Sequence, residues 1–171
     1  MWRESFRADP AAAALADRHR QAVGSPQFVP PGRCVVLRAD EAVWVTSWPF
    51  AEYTKHAWAG AWVNSLFRRE GGPLASEMIR AAVAATRWKW PEVPHLGMVT
   101  FVDPTKIRRK RDPGRSYLRA GFHKAGATKG GLLAFQMLPD EMPTAEAPVG
   151  ALEPMFDLAT AGPLPRETDH G

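Results

Sequence analysis

The sequence predicts a single α/β domain in which helices flank a mixed β-sheet, and two observations predict it. Short segments rich in β-branched and aromatic residues alternate with segments whose apolar residues recur every three or four positions, a pattern typical of interspersed strands and helices. The chain has 171 residues, of which 45% are hydrophobic and 23% charged. This composition is sufficient for one hydrophobic core and differs from that of disordered and fibrous proteins.

The first half of the chain predicts one helix, a hairpin and a further strand. Asp9-Pro10 supplies a capping side chain and a first-turn proline, so a helix is predicted over residues 11–22. Residues 34–38 and 43–48 are strand-like and flank a short polar turn, which predicts a β-hairpin. Residues 58–67 are aromatic and β-branched enough for the next strand.

The second half of the chain predicts two helices and three strands. Apolar residues recur at helical spacing over residues 74–87, as expected of a helix lying on a sheet. The nearly continuous apolar run at 98–102 predicts a central strand covered on both faces. A short helix over residues 116–120 and strands over 122–125 and 132–138 complete the domain.

Charge is distributed unevenly along the chain. Residues 1–138, the predicted domain, carry a formal net charge of +10, whereas residues 139–171 carry −6 and six prolines. The basic domain predicts an anionic partner such as nucleic acid or a phosphorylated cofactor, although a positive surface also serves solubility. The acidic, proline-rich segment predicts an extended tail, disordered or loosely docked.

Several protein classes are excluded by what the sequence lacks. No apolar run approaches the roughly 20 residues of a membrane-spanning helix, and charged residues stand near Met1, so we expect a cytoplasmic protein. The one cysteine, Cys34, excludes an internal disulfide and any zinc site with two thiolates. The five histidines lack the spacing of a ligand set, so no metal is predicted.

A glycine-containing junction follows the strand over residues 58–67. Its sequence is Arg68-Arg69-Glu70-Gly71-Gly72-Pro73, and a helix begins after it. Glycines before a helix let backbone N–H groups cradle a pyrophosphate, to which the arginines would add charge-assisted bonds. The alternative is a tight turn with solvated arginines. The candidate cofactor-binding residues are Arg68, Arg69, Gly71, Gly72 and Ser76.

A second segment, Tyr117-Leu118-Arg119-Ala120-Gly121-Phe122, ends a short helix and leads into a strand. The order of strand, glycine loop, helix, strand, short helix and strand resembles the GNAT superfamily of N-acetyltransferases. The resemblance implies that Arg68-x-x-Gly71-x-Pro73 takes the place of a loop that binds the pyrophosphate of acetyl-CoA or another coenzyme A thioester. Pro73 stands where that loop has a small residue, and it removes one N–H donor. Tyr117 would be the acid that protonates the departing thiolate, or a packed tyrosine with a satisfied hydroxyl.

A narrower resemblance covers residues 64–128 and points to the phage Mom proteins, relatives of the same superfamily. The matching motifs are Leu66-Phe67, Ser76-x-x-Ile79, residues 99–102 with Asp103-Pro104, and Gly114-x-x-Tyr117-x-x-Ala120-x-Phe122-x-x-x-Gly126. Mom proteins add a carbamoylmethyl group to the 6-amino group of adenine and so protect phage DNA from restriction. The resemblance implies a DNA base as acceptor.

A basic loop lies between Asp103 and Tyr117. The candidate DNA-binding residues are Lys106, Arg108, Arg109, Lys110, Arg111 and Arg115. Such a cluster would hold backbone phosphates in a salt-sensitive, sequence-independent way; the alternatives are a solvated loop or a grip on the 3′-phosphate of coenzyme A. Asp103 ends the central strand, where it would orient an acceptor amine or cap the turn at Pro104.

Overall fold

The computed structural model describes residues 1–19, 28–106 and 112–151 of the chain. Within these ranges seven strands form one mixed sheet against three α-helices, which confirms the predicted α/β class. The strands are β1 (Arg3–Glu4), β2 (Arg33–Ala39), β3 (Ala42–Trp48), β4 (Trp62–Arg69), β5 (Met98–Val102), β6 (His123–Ala127) and β7 (Leu133–Met137). The helices are α1 (Pro10–Asp17), α2 (Ala75–Lys89) and α3 (Arg115–Ala120). No helix in these ranges is both long and apolar enough to cross a membrane.

The sheet has the strand order β1-β2-β3-β4-β5-β7-β6. Each neighbouring pair is antiparallel except β4 and β5, which run parallel. Parallel neighbours need a crossover connection, and α2 provides it. The carboxyl ends of β4 and β5 therefore lie at one edge of the sheet, where open α/β sheets place their ligands.

The helices cover opposite faces of the sheet. α2 and α3 pack on one face, over a core that includes Trp44 and Trp62. α1 packs on the other face, where Leu15 contacts a cluster that includes Leu66. Successive residues of a strand point to opposite faces, so Leu66 faces α1 while Phe67 joins the core beneath α2.

Most predicted elements are confirmed, but two boundaries were wrong. The strand predicted from residue 58 begins at Trp62. Trp58 lies in a turn in which the Ala61 N–H donates to the Trp58 carbonyl, and its ring packs against Phe101 instead of joining the sheet. The first helix ends at Asp17, not at residue 22. Arg18 leaves the helix and pairs with the distant Glu70 carboxylate at 2.6 Å, a contact that local periodicity does not reveal.

The start of the predicted tail belongs to the folded domain. Residues 139–151 run back over α2, where the Glu146 N–H donates to the Ala84 carbonyl at 3.1 Å. Farther along, the Val149 N–H donates to the Trp2 carbonyl at 2.8 Å, and Met142 is buried in the core beneath α2. The segment starts with a short 3-10 helix over Pro139–Glu141 and is packed against the domain, so the domain continues past residue 138. Residues 152–171 lie outside the described residues.

Candidate functional site

The two central parallel strands separate partway along their length. β4 and β5 pair through three residue pairs, of which Asn64 with Thr100 is the last. Beyond that pair β4 continues to Arg69 and β5 to Val102 without pairing to each other. A cavity of about 580 Å³, here called the cleft, opens between the separated strand ends. The sheet therefore forks at Asn64 and Thr100.

A β-bulge in β4 accompanies the fork. Val45 of β3 pairs with Leu66 and the next residue of β3 pairs with Asn64, so Ser65 has no partner across the ladder. The Asn64 Nδ2 donates to the Val45 carbonyl at 3.0 Å and to the Leu66 carbonyl at 2.9 Å, which fixes the bulge. Bulges bend a strand and raise its twist, and this one lies where β4 leaves β5. Ser65 is exposed and lines the cleft.

The Tyr117 hydroxyl lies at the apex of the fork. It donates to the Asn64 Oδ1 at 2.7 Å, and the Thr100 hydroxyl lies 3.3 Å from the same oxygen. Because the Asn64 amide nitrogen is held by two carbonyls, its oxygen is fixed toward Tyr117. Burial raises the pKa of Tyr117 to about 12, although a hydrogen bond with Thr100 opposes the rise. Tyr117 is therefore a protonated phenol at neutral pH, and it has both a satisfied hydroxyl and a place in the cleft wall.

The local sequence of α3 explains why Tyr117 reaches the fork. Gly114 precedes the helix with φ 76°, and a Cβ at this position would overlap the ring of Phe135. The lack of a side chain at Gly114 thus allows the start of α3 to pack directly against β7. At the other end Gly121, with φ 106°, stops the helix after six residues. The Tyr117 ring then packs edge-on against Phe122 and nearly parallel to Phe135.

Most of the charged residues that line the cleft are basic. Among the described residues, Arg69, Arg115 and Arg119 line its wall together with one acidic residue, Asp112. The basic side chains come from β4 and α3, on either side of the fork. A concave site whose walls carry one sign of charge concentrates ligands of the opposite sign, so the cleft favours an anion.

The start of α2 adds to this positive potential. Leu74, Ala75 and Ser76 line the cleft, and Leu74 occupies the capping position without making a capping hydrogen bond. The first N–H groups of a helix have no partner within the helix and carry the positive end of its dipole. Arg69 lies against this end, where its Nε donates to the Pro73 carbonyl at 2.6 Å. A cation at the positive end of a helix is unfavourable alone and is stabilised by a bound anion.

The structure brings together four of the residues predicted for the site. Arg69, Ser76, Arg115 and Tyr117 all line the cleft. The strand-to-helix junction indicated Arg69 and Ser76, the tyrosine segment indicated Tyr117, and the basic cluster indicated Arg115. These signals converge in space because β4 and β5 are parallel neighbours, which places the starts of α2 and α3 at the same edge of the sheet.

The rest of the glycine junction lies elsewhere. Gly71 and Gly72 line a second opening of about 420 Å³ on the side of the β2–β3 turn, and Gly71 packs directly on the Glu41 carboxylate. Arg68 does not line the cleft; its guanidinium contacts Glu70 at 3.1 Å. The prediction that these three residues face the same ligand as Tyr117 thus does not match the geometry. Of the junction and the helix that follows it, Arg69 and the start of α2 line the cleft.

Asp103 and Lys106 are not among the described residues that line the cleft. The Asp103 Oδ1 accepts from the Thr105 N–H at 2.9 Å and from the Thr105 hydroxyl at 2.7 Å, so Asp103 caps the turn after β5. These hydrogen bonds lower the pKa of Asp103, which keeps it ionised. Lys106 is exposed nearby. Arg108, Arg109, Lys110 and Arg111 lie outside the described residues.

His19 lines the cleft, although no sequence pattern indicated it as a site residue. It lies just after α1, more than forty residues before β4. Its distance along the sequence from other polar residues matches no pattern that would have indicated a site. Burial lowers the pKa of His19, and the positive charges of Arg68 and Lys106 lower it further, while a hydrogen bond with the Phe67 backbone opposes them. His19 is therefore a neutral imidazole at pH 7.

Comparisons of the chain with protein-family models, with curated proteins and with solved structures find no match. The residues of the cleft are thus the basis for assigning a function. In the part of the chain that the structure describes, no three His, Cys, Asp or Glu side chains are grouped so that they could hold a metal ion. The cleft chemistry available from these residues is anion binding, proton donation by Tyr117 and proton acceptance by His19.

Proposed function

We propose that this chain is a coenzyme A thioester-dependent transferase whose acceptor is an amino group of a DNA base. The observation that carries the proposal is the position of the Tyr117 hydroxyl at the apex of a fork between parallel strands, with cationic groups on the walls beyond it. The donor would be acetyl-CoA or another coenzyme A thioester. The order of strand, loop, helix, strand, short helix and strand, which the resemblance to the GNAT superfamily requires, supports the proposal.

The cleft residues fit such a donor. A diphosphate requires N–H donors and positive charge, which the start of α2, the Ser76 hydroxyl and Arg69 would provide. The edges of β4 and β5 beyond the fork have backbone groups that no partner strand uses, and these would bond to amides of a slender arm lying between them. Arg115 and Arg119 would hold the remaining phosphate.

Tyr117 would supply the proton in the reaction. A bound thioester presents a carbonyl carbon to a nucleophile and a sulfur that leaves with the electrons of the broken bond. Tyr117 is protonated over the whole physiological range, so it can donate to this sulfur as negative charge develops there. The hydroxyl hydrogen would have to leave the Asn64 Oδ1 for the sulfur, and Asn64 would keep the hydroxyl in place beforehand.

The DNA acceptor is proposed on charge. The domain is strongly basic, Arg115 lies in the cleft wall and Lys106 is exposed after β5, next to the remaining basic residues of that loop. Basic side chains around a cleft mouth would hold backbone phosphates while a base enters. A base in a duplex must first leave the stack, which costs a few kcal/mol, so single-stranded DNA is the easier substrate.

Two alternatives make different predictions. Acetylation of a protein or small-molecule amine needs the same donor site and differs only in the acceptor. A nucleic-acid-binding protein built on a degenerate transferase scaffold needs no donor, and the placement of Gly71 against Glu41, together with Pro73, favours this candidate.

Calorimetry with coenzyme A tests the donor, and mass analysis of nucleosides tests the acceptor. We expect coenzyme A to bind, and DNA incubated with the protein and acetyl-CoA to yield a nucleoside of increased mass, whose increment identifies the transferred group. Absence of binding heat at millimolar coenzyme A would contradict a donor site and favour the nucleic-acid-binding alternative. Binding of coenzyme A with unaltered nucleosides, both in vitro and in cells that express the protein, would exclude DNA as acceptor.

A further inference from the structure

The cleft reaches both faces of the sheet. Tyr117 and Val102 belong to the core beneath α2 and α3, whereas Leu66 belongs to the cluster beneath α1. All three residues line the same cavity. The gap between β4 and β5 is therefore lined by residues from both faces of the sheet.

His19 lies on the α1 face of the sheet, just after α1. It directly follows the last turn of α1, where its N–H donates to the Ala16 carbonyl, and its side chain lines the cleft from the side opposite Tyr117. The hydrogen bond with the Phe67 backbone holds the ring against β4 just beyond the fork. A thioester carbon held at the fork would thus have Tyr117 on one side of the sheet and His19 on the other.

The charges around His19 and the cleft disfavour a cationic nucleophile. Arg68 on β4, whose guanidinium also pairs with Glu70, and Lys106 after β5 are the charged groups that act on His19. Arg69 on β4 and Arg115 and Arg119 on α3 line the same cavity. Among the described lining residues, Asp112 is the one carboxylate. An ammonium group such as a lysine side chain would enter a field of its own sign, whereas the exocyclic amine of a nucleobase is uncharged at neutral pH.

We propose that His19 is the base that accepts a proton from an uncharged amino group entering the cleft from the α1 face. The proposal rests on the proposed function. His19 takes the proton that the nitrogen loses as its lone pair bonds to the thioester carbonyl carbon. Tyr117 gives its proton to the sulfur whose bond to that carbon breaks. His19 then releases its extra proton to solvent and Tyr117 takes one up from solvent, so both residues return to their starting states.

The test compares the wild-type chain with His19→Gln, which keeps a polar side chain but does not titrate near neutrality. The matched control is His95→Gln, because His95 is exposed and does not line the cleft. Calorimetry measures coenzyme A binding, and a thiol reagent measures release of coenzyme A from acetyl-CoA in the presence of single-stranded oligodeoxyadenylate. An NMR titration of the His19 ring, assigned by the signal missing in His19→Gln, gives its pKa directly.

We expect all three proteins to bind coenzyme A equally. Thiol release should fall about 100-fold or more in His19→Gln and stay unchanged in His95→Gln, since general-base catalysis contributes on the order of 10²–10⁴. The acid limb of the wild-type rate profile should follow the NMR pKa of His19, which should lie below its ordinary value, and this limb should be lost in His19→Gln.

Each other outcome points to a particular failure. A wild-type protein that does not bind coenzyme A contradicts the proposed function itself. A wild-type protein that binds coenzyme A but releases thiol no faster than His19→Gln, including one that releases none, overturns the role of His19. So does a His19 pKa at or above the ordinary value, because the ring would then not be desolvated in the cleft.

Discussion

Replacing Asn64 by Leu tests the hydrogen bonds that hold the fork. Asn64→Leu keeps the number and branching of the side-chain heavy atoms but removes the amide. Three short hydrogen bonds are lost: the two from Nδ2 to the carbonyls of Val45 and Leu66, at 3.0 and 2.9 Å, and the 2.7 Å bond from the Tyr117 hydroxyl. The longer bond from the Thr100 hydroxyl to Oδ1, at 3.3 Å, is lost too, but that hydroxyl also donates to the Asn64 carbonyl and so keeps a partner. We therefore expect Asn64→Leu to destabilise the bulge and the Tyr117 position together.

The size of the effect follows from the number of groups left without partners. Each lost bond costs about 1 kcal/mol, and somewhat more where a buried carbonyl finds no new partner, so we expect a loss of about 3 kcal/mol. For a chain of this size 1 kcal/mol shifts the Tm by about 2–4 °C, which predicts a fall of about 6–12 °C. Tyr117→Phe removes one of the three bonds and should cost about 1 kcal/mol.

Urea unfolding followed by tryptophan fluorescence measures both variants and their combination. The double variant should cost about 1 kcal/mol less than the sum of the single variants, because both remove the same bond between Tyr117 and Asn64. Ser65→Ala is the control, since Ser65 is exposed on the bulge and should change stability by less than about 0.5 kcal/mol. Additive single effects, or an Asn64→Leu cost no greater than that of the control, would refute the described hydrogen-bond network.

Three further predictions follow from the geometry. Gly114→Ala should cost about 2–4 kcal/mol in urea unfolding, because the residue has a positive φ and its new Cβ would overlap an aromatic ring. Gly131→Ala is the control: this residue also has a positive φ but lies in open space, so its substitution should cost about 1 kcal/mol. Equal costs would contradict the close packing of α3. The arginine partners of Glu70 lower its pKa to about 2, so its contribution to stability is complete above its ordinary value of 4.5 and is lost as the pH falls toward 2. The stability difference between wild type and Glu70→Gln should therefore shrink over that range in acid titrations, and a constant difference would contradict the pairing. Replacing both Arg115 and Arg119 by Gln should weaken coenzyme A binding about tenfold in calorimetry, and undiminished affinity would remove them from the phosphate site.

The elements that the sequence predicts well are those whose signal is local. The apolar spacing over residues 74–87 and the continuous run at 98–102 correspond to α2 and β5 within one or two residues. Both patterns depend only on which side chains are buried, and a period of 3.6 or a short apolar run records that directly. The end of α3 was predicted correctly for the same reason, because Gly121 ends the helix where the sequence indicates.

The parts that sequence analysis missed depend on contacts between distant residues. Gly71 turns away from the cleft because it packs on Glu41 of the β2–β3 turn, thirty residues earlier in the chain. His19 reaches the cleft because α1 docks across the sheet, and neither its burial nor the nearby charges of Arg68 and Lys106 are visible in its neighbours along the chain. Asp103 was left open between two roles, and two hydrogen bonds from Thr105 show that it caps the turn.

The segment after β7 shows a third limit of sequence patterns. Proline and acidic residues predicted an extended chain from residue 139, but the described backbone begins with a short 3-10 helix over Pro139–Glu141 and has no further helix up to residue 151. Composition does not show whether an extended chain is solvated or packed. Here the carbonyls of Ala84 and Trp2 accept from its N–H groups and Met142 fills the core, so residues 139–151 complete the domain.

Mapping coenzyme A by two-dimensional amide NMR tests the central claim most directly. If the donor binds where β4 and β5 separate, adding coenzyme A should shift the amide signals of residues 65–69, 101–102 and 74–77, and Tyr117→Phe should leave these shifts in place. Shifts confined to Gly71, Gly72 and the β2–β3 turn would instead place the ligand in the second opening. That result, or an unchanged spectrum at millimolar coenzyme A, would contradict the assignment of the fork as a thioester site.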